Sequence, residues 1–308
     1  MTTGHWHLLP NTDTPKSHSP TVAYQGRIYV FGGGGDHFDS LNSTQIYDPA
    51  TNTWSSGTPM PTRRSGSAYA LIDGKIYIIG GMHKPKDGKF FFLKNMEIYD
   101  PETDSWSDGP DMNHLHDYPA CTVLDGKIYV MGGHHPEATE GGPSTDPGFE
   151  VCERFDPKTG EWEEIAPLLT PRFALSAITY RGRIYTMGGV AFTPDGFLNF
   201  DHLECYDPEQ NQWSRVEDIR LPYETAGQGS VRIGEKLYVF GGYSGDGICN
   251  RSHCYDFSTG EWTELEAMPD TRAAMGITVL DNTIYMIGGW PDYRRIPSDQ
   301  AFCYQISA

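Results

Sequence analysis

The stretch "GSAYALIDGKIYIIGG", residues 66–81, and its continuation "MEIYDPETDSWSDGPDM", residues 96–112, define a unit that recurs along the chain. The first half predicts two strands, a and b, joined at Asp73-Gly74, because this dipeptide supplies the positive φ angles of a two-residue hairpin turn. The second half predicts strand c, which ends in an aromatic–Asp–Pro sequence, and strand d, which begins near a tryptophan. Each unit therefore predicts a four-stranded antiparallel sheet.

A double glycine ends strand b in every copy of the unit. The six copies are spaced by 48, 52, 56, 53 and 47 residues: Gly32-Gly33, Gly80-Gly81, Gly132-Gly133, Gly188-Gly189, Gly241-Gly242 and Gly288-Gly289. Because glycine has no side chain, the pair permits close backbone packing at this point. A period near ~50 residues with short strands predicts a radial array of blades rather than a stacked solenoid.

The double glycine, the spaced aromatic residue and the tryptophan at this period resemble the kelch repeat, and the resemblance covers essentially the whole chain. It implies an all-β fold, a six-bladed kelch-type β-propeller with four antiparallel strands per blade. Five tryptophans mark strands d, whereas the sixth unit ends in "AFCYQISA" without one. We therefore expect Trp6 to supply that strand. A single domain, residues 1–308, is predicted, with blade 6 formed by about 274–308 plus about 5–9 and the ring closed by the N-terminal strand.

Composition limits the classes of partner. The chain has 41 acidic and 23 basic side chains and a formal net charge of −18, which repels phosphate backbones and anionic lipid headgroups. Neither nucleic acid nor a membrane is an expected partner. The N-terminus "MTTGHWHLLP" lacks a basic start followed by an apolar run, and no segment approaches the ~20 apolar residues that span a bilayer. We expect a cytoplasmic protein with reduced cysteines.

The loops from strand b to c and from strand d to the next strand a are predicted to share one face, where the resemblance implies ligand binding. Alignment of the units gives one equivalent residue in each d–a loop, here called the entry position: Lys16, Arg64, His116, Arg172, Thr225 and Arg272. We predict that the three arginines orient an anionic or polar substrate. The alternative is that they satisfy backbone carbonyls or acidic neighbours.

Histidines surround strands a and b of the third blade. Because the ends of an antiparallel hairpin converge, we expect the imidazoles of four histidines near one rim: His114, His116, His134 and His135. With His83 of the neighbouring blade they are candidate ligands for a divalent transition metal cofactor. Alternatively, His116 and His135 serve as acid–base catalysts with Asp117 and Tyr118. A third interpretation is that the histidines are solvated and have no role.

Loop length and aromatic residues favour the same face. The b–c loop of the third blade is the longest, with 21 residues between the double glycine and the strand c aromatic residue. Long ordered loops form lids or binding walls, whereas disorder is the alternative for "EATEGGPSTDPG", residues 137–148. Part of Phe90–Phe92 is expected in the core of strand c. Further predicted substrate-binding residues are Tyr223, Glu224, Tyr243 and Trp290.

Two functions fit these features. The first is an enzyme that acts on a small molecule by proton transfer, through isomerisation, epimerisation, cyclisation or elimination, with possible metal assistance. The second is a propeller that binds a peptide or protein partner through the same face, as many kelch proteins do. Because propellers host unrelated functions, the fold cannot choose between them. The small-molecule ligand is favoured because the sequence shows no appended adaptor domain.

Overall fold

Alternating apolar residues and hairpin turns divide the described residues, 4–86, 88–138 and 145–307, into the β-strands of a computed structural model. The strands of the first three repeats are β1 Gly4–Leu9, β2 Thr21–Tyr24, β3 Arg27–Gly34, β4 Ser40–Asp48, β5 Thr53–Gly57, β6 Ala68–Ile72, β7 Lys75–Ile79, β8 Met82–His83, β9 Phe91–Phe92, β10 Met96–Asp100, β11 Ser105–Gly109, β12 Ala120–Leu124, β13 Lys127–Met131, β14 Cys152–Asp156 and β15 Glu161–Ile165. Two short 3-10 helices, Asp36–Phe38 and Pro136–Ala138, lie in b–c loops.

The strands of the last three repeats follow the same plan. They are β16 Ser176–Tyr180, β17 Arg183–Met187, β18 Val190–Thr193, β19 Gly196–Asn199, β20 His202–Asp207, β21 Gln212–Arg220, β22 Gly229–Ile233, β23 Lys236–Phe240, β24 Tyr243–Ser244, β25 Gly247–Ile248, β26 Ser252–Asp256, β27 Glu261–Glu264, β28 Gly276–Leu280, β29 Thr283–Ile287 and β30 Ala301–Ile306.

Six antiparallel sheets of four strands each form the blades. Blade 1 is β2-β3-β4-β5, blade 2 is β6-β7-β10-β11, blade 3 is β12-β13-β14-β15, blade 4 is β16-β17-β20-β21, blade 5 is β22-β23-β26-β27 and blade 6 is β28-β29-β30-β1. Two compact units contain them: unit 2, Gly66–Ala226, holds blades 2 to 4, and unit 1, on either side of it in sequence, holds blades 1, 5 and 6. The predicted number of blades and of strands per blade is confirmed.

A directly opposed aromatic pair joins strands c and d in every blade. The ring centroids lie 4.9–5.1 Å apart in Tyr47–Trp54, Tyr99–Trp106, Phe155–Trp162, Tyr206–Trp213, Tyr255–Trp262 and Tyr304–Trp6. Such cross-strand aromatic contacts add stabilisation beyond the burial of area. The aspartate that follows this aromatic residue stabilises the turn between strands c and d. In blade 2, Asp100 Oδ1 accepts a hydrogen bond from the Glu102 amide. This explains why the aromatic residue, the aspartate and the tryptophan recur together.

Blade 6 takes its outermost strand from the start of the chain, as predicted. Strand β1 pairs with β30 in antiparallel register, with Trp6 opposite Tyr304. The Trp6 ring also packs edge-on against Phe240 and Phe302, and its Nε1 donates to the Glu266 carbonyl at 3.0 Å. The N-terminal strand therefore completes the sheet and ties it to blade 5.

The double glycines bring each blade against the loop of the following repeat. The amide of the second glycine donates to the carbonyl of the next entry position at 2.7–3.0 Å in all six cases: Gly33 to Arg64, Gly81 to His116, Gly133 to Arg172, Gly189 to Thr225, Gly242 to Arg272 and Gly289 to Lys16. A Cβ atom on Gly133, whose φ is +118°, would lie 2.7 Å from the Asp117 carbonyl oxygen. Any side chain there would push the two segments apart.

Three b–c loops carry small hairpins of their own: β8-β9, β18-β19 and β24-β25. Phe91 and Phe92 belong to β9, and strand c of blade 2 begins only at Met96. The expectation that part of Phe90–Phe92 joins the core of strand c is therefore wrong, because these residues fold back on Met82 and His83 instead. All six cysteines are free. Within the described ranges, no helix is long and apolar enough to cross a membrane.

We expect Trp6→Ala to lower the free energy of unfolding by about 2 kcal/mol or more, since buried tryptophans cost ~3–5 kcal/mol on truncation and this ring is only partly buried. The matched control is Leu8→Ala on the same strand, because Leu8 is 73% exposed. Urea titration followed by fluorescence and far-UV circular dichroism measures both. Equal effects of the two substitutions would contradict a closing role for Trp6.

Candidate functional site

The entry positions of blades 3 and 4 make the same two contacts. His116 Nδ1 lies 2.7 Å from the carbonyl oxygen of Gly132, and its Nε2 lies 3.2 Å from Glu153 Oε2. Arg172 donates to the carbonyl of Gly188 at 3.0 Å, and its NH2 lies 3.1 Å from Glu204 Oε1. In both blades, therefore, a buried nitrogen-bearing side chain links the first glycine of the double glycine to a buried glutamate of strand c.

Both glutamates are stabilised as carboxylates. Burial acts to raise the pKa of Glu153, but hydrogen bonds from His116 and from the amides of His114 and Asn113 lower it below its usual value. The His116 side chain is fully buried, and its ring is paired at both nitrogens. This placement matches the structural alternative for the entry position, and His116 offers no free nitrogen to a ligand.

The other cationic entry positions are also buried, but their side chains bond different partners. All three arginines predicted to bind substrate, Arg64, Arg172 and Arg272, are fully buried. Arg272 reaches Gln300 Oε1 at 2.7 Å and Asp270 Oδ2 at 3.1 Å, and its guanidinium lies over the Phe302 ring. Lys16 bonds Gln45 and Ser43, and burial lowers its pKa to about 8. These buried side chains bond neighbouring polar groups, which agrees with the structural alternative.

The histidines predicted as metal ligands are not gathered at one point. His114 pairs with Glu164 of β15 at 3.1 Å, His135 accepts a hydrogen bond from the Glu137 amide, and His83 packs on Phe91. His116 points into blade 3, as described above. Among residues 4–86, 88–138 and 145–307, no three His, Cys, Asp or Glu side chains are grouped so as to hold a metal ion. The structure therefore gives no support to the predicted metal site.

The main chain nevertheless converges where the sequence predicted. In several blades the residue after the entry position bonds the residue after the double glycine, and we call these two residues a rim pair. The rim pairs are Ser17 with Gly34, Asp117 with His134, Phe173 with Val190 and Ala273 with Trp290. Asp117–His134 is the one pair of this set with two ionisable side chains. The repeat therefore does not require an aspartate and a histidine here.

His134 stands between two carboxylates. Its Nδ1 lies 2.5 Å from Asp146 Oδ2, and its Nε2 lies 3.9 Å from Asp117 Oδ2. The short contact to Asp146 requires a proton on Nδ1, which leaves the lone pair of a neutral ring on Nε2. The His134 side chain is 28% exposed, whereas that of Asp117 is 6% exposed. One edge of the cluster is thus accessible from solvent.

Burial makes the ionised form of Asp117 unfavourable in the folded protein. Burial raises its pKa to about 7, opposed by the charge of His134 and assisted by the charge of Asp146. Within the described residues its Oδ1 has no hydrogen-bond partner. Because the folded-state pKa exceeds the unfolded value of ~3.9, folding becomes less favourable as the pH rises from about 4 to about 7. A buried carboxyl group that costs stability is typical of a functional site.

Aromatic residues and a backbone bridge hold the cluster in place. The His134 ring stacks on Phe173 at 3.9 Å and lies 6.1 Å from the Phe92 ring. Asp146 exchanges two main-chain hydrogen bonds, of 2.9 and 2.6 Å, with Phe192 of β18. Although burial acts to raise the pKa of Asp146, the hydrogen bond and charge of His134 lower it overall. Asp146 is therefore an anchored carboxylate. Residues 139–144 of the predicted lid lie outside the described residues.

Gly66 and Tyr118 complete this region. A Cβ on Gly66 would lie 2.4 Å from Asp117 Oδ1, so only glycine leaves room for the carboxyl group. Tyr118 has a left-handed φ of 54°, donates its amide to the Gly66 carbonyl and accepts a hydrogen bond from the Ala174 amide. The backbone around Asp117 is therefore fixed on both sides.

The remaining predicted substrate-binding residues lie elsewhere. Tyr223 and Glu224 precede the entry position Thr225 in unit 2, where Glu224 is exposed. Tyr243 and Trp290 lie in unit 1, and both are mostly buried. Trp290 contacts His18 edge-on at 4.4 Å.

Three residues of the site were missed from the sequence. Glu153 could have been found, because the residue two positions before the strand c aromatic is Gln45, Glu97, Glu153 and Glu204 in the first four repeats. Phe173 follows an entry position in the same way as Asp117 does. Asp146 lies in the variable loop, and no periodic signal marks it.

We predict that His116→Ala lowers the free energy of unfolding by about 3–5 kcal/mol, because it removes the side-chain partner of the buried Glu153 carboxylate. His116→Arg, which copies blade 4, should recover most of the loss. The Glu153 contribution is present above its unfolded pKa of ~4.3 and is lost as the pH falls below it, since its folded pKa is lowered. Urea titrations at pH 7 and pH 4 measure these effects. Unchanged stability in His116→Ala would contradict this role.

Comparison with known proteins agrees with the fold. The family model described as the KLHDC2/KLHL20/DRC7 Kelch-repeats domain matches residues 1–168 and 120–289. The chain is 28% identical over 286 residues to Kelch-like protein 23 of Pongo abelii, covering 92% of this chain and 47% of that protein. It is 26% identical over 303 residues to Kelch-like protein terF of Aspergillus terreus, covering 93% and 64%, respectively.

The chain thus spans about half the length of Kelch-like protein 23. Among solved structures, that of YjhT matches with a TM-score of 0.78 at 17% identity, covering 97% of this chain and 99% of that one. At this identity the likeness shows the fold alone. With the match of the family model and the six four-stranded blades, the chain belongs to the kelch-repeat family and has the six-bladed propeller fold.

Proposed function

We propose that this chain binds a small molecule at the Asp117–His134–Asp146 cluster and transfers protons on it, as in an isomerisation, epimerisation or elimination. The observation that carries the proposal is the solvent-accessible His134 ring, with Asp146 at 2.5 Å from Nδ1 and Asp117 at 3.9 Å from Nε2. A carboxylate that fixes one imidazole nitrogen leaves the other in a defined tautomer for proton transfer.

The two ionisable groups of the rim pair take complementary roles. His134 accepts a proton through Nε2, while Asp146 holds the ring and stabilises the imidazolium that forms. Asp117, whose pKa is about 7, retains its proton in part of the molecules at neutral pH and donates it elsewhere on the ligand. Removal at one atom and delivery at another leaves the proton count of the reaction balanced. Asp146 acts as a positioning residue.

The rim pairs of the other blades support a role specific to blade 3. Where they carry Ser and Gly, Phe and Val, or Ala and Trp, the two residues exchange two main-chain hydrogen bonds without any ionisable side chain. The stacked Phe173 and nearby Phe92 supply apolar surface against which a ligand ring or carbon skeleton can pack. The catalytic roles first predicted for His116 and His135 pass, in this proposal, to His134.

We expect the protein to catalyse hydrogen exchange or epimerisation in D2O on at least one member of a panel of 2-oxo acids, hydroxy acids, aldoses and ketoses, followed by proton NMR. Asp117→Asn and His134→Asn should each reduce the rate by about 100-fold or more, the typical contribution of a general acid or base. The wild-type rate should fall above pH ~7, as Asp117 loses its proton.

His114→Asn is the matched control, because the partly exposed His114 side chain pairs with Glu164, outside the cluster. It should leave the rate unchanged. The proposal is refuted if no panel member reacts, or if Asp117→Asn and His134→Asn react as fast as the wild-type protein does.

A protein partner is the second candidate function, and one observation favours it. The β18-β19 hairpin of unit 2 exposes Phe192 by 37%, Phe197 by 36% and Leu198 by 50%. Exposed apolar groups concentrated on one hairpin are typical of a protein-binding surface. A stoichiometric complex seen by light scattering, and lost in a Phe192→Ser/Leu198→Ser variant but not in Leu169→Ser, would support this function. Leu169 is the control because it is 53% exposed and lies on a d–a loop.

A further inference from the structure

Positive charge is concentrated next to the cluster in an otherwise acidic chain. The chain has nine lysines and a formal net charge of −18, yet four of the nine lysines fall within residues 84–94: Lys84, Lys86, Lys89 and Lys94. Lys86, Lys89 and Lys94 are exposed. Three of the four lie between β8 and β9, so that this hairpin carries a charge opposite to that of the protein as a whole.

The register of the hairpin determines which way Lys84 projects. Met82 is paired with Phe92, and His83 with Phe91. Opposed residues share one face of an antiparallel hairpin, and the faces alternate along each strand. Lys84 and Phe90 therefore project on the same face as Phe92, and the Lys84 Nζ indeed lies 5.8 Å from the centre of the Phe90 ring.

That face is directed toward the proposed site. The Phe92 ring lies 6.1 Å from the His134 ring, with the two planes inclined by 28°. Lys84 is two residues from Met82, which corresponds to about 7 Å along the strand at ~3.3 Å per residue. The flexible four-carbon stem of lysine covers an offset of this size, so Lys84 is placed to meet an anionic group on a ligand that extends from His134 past Phe92.

The cluster itself does not supply this positive charge. The charge of His134 is balanced by Asp146 at 2.5 Å, and Asp117 adds a further negative charge when it ionises. An anionic ligand would be repelled by these carboxylates unless a cationic group stood nearby. The lysines of the hairpin are such groups, and the chain concentrates them at this loop.

We infer that the small molecule bound at the cluster carries a carboxylate or phosphate group, and that Lys84, with Lys86 and Lys89, binds that group. This inference rests on the proposed function, because it assigns the chemical class of ligand for the same site. The apolar part of the ligand then packs on Phe92 and Phe173, and its reacting atoms face His134 and Asp117.

The test is a titration of the full chain with inorganic phosphate and, separately, with malonate, followed by amide NMR shifts at constant ionic strength. We expect saturable shifts at residues 82–94 and at His134 with at least one probe, and the preferred probe distinguishes phosphate from carboxylate. Lys84→Gln should raise the dissociation constant of the probe about threefold to fivefold, the effect expected for loss of one charge-assisted contact at a partly exposed site. Lys158→Gln, an equal change of charge on an exposed c–d turn, should leave it unchanged.

Two further results separate this inference from the proposed function. If phosphate or malonate saturates these residues but no panel compound reacts, the anion site stands and proton transfer does not. If neutral sugars react as well as acids, and Lys84→Gln alters neither their kcat/KM nor any probe shift, the anion site is refuted while proton transfer stands. Equal weakening by Lys84→Gln and Lys158→Gln would also overturn it, because the effect would then reflect net charge alone.

Discussion

The hydrogen bond from the second glycine of each double glycine to the next entry-position carbonyl is the constraint on which the rest of the molecule depends. It forms in all six repeats, each time within one compact unit, and it requires a backbone approach that a Cβ atom would prevent. It joins consecutive repeats, whereas each rim pair forms within one repeat, between the residue after the entry position and the residue after the double glycine. Both kinds of main-chain bond therefore meet at the double glycine, and the rim pairs form with different side chains in different repeats.

The same constraint separates structural from functional residues within a few positions of sequence. An entry-position side chain turns into the sheet and meets strand c, where Glu153 receives His116 and Glu204 receives Arg172. The next residue bonds the residue after the double glycine through its main chain, and in blade 3 its buried side chain lies beside His134 rather than against strand c. His116 and Asp117 are neighbours in sequence, yet one stabilises blade 3 and the other belongs to the proposed site.

The sequence predicted the fold in detail because the fold rests on short-range signals. The tryptophan of each strand d lies directly opposite the strand c aromatic residue, and the missing sixth tryptophan correctly pointed to Trp6. The site was harder to predict. The convergence of Asp117 and His134 followed from hairpin geometry, but the directions of His114 and His116 depended on acidic partners from other strands. Asp146 lies in a loop whose course no periodicity determines, and so its contact with His134 was not foreseen.

Main-chain bonds join the rim pairs whether these carry Ser and Gly, Asp and His, Phe and Val or Ala and Trp, so the backbone geometry does not depend on one particular pair of side chains. A lineage could therefore acquire or lose ionisable groups there through two codon changes, and different repeats could evolve at different speeds. The same property offers a route for engineering: an aspartate and a histidine grafted onto Phe173 and Val190 would inherit a ready-made backbone geometry in the adjacent blade.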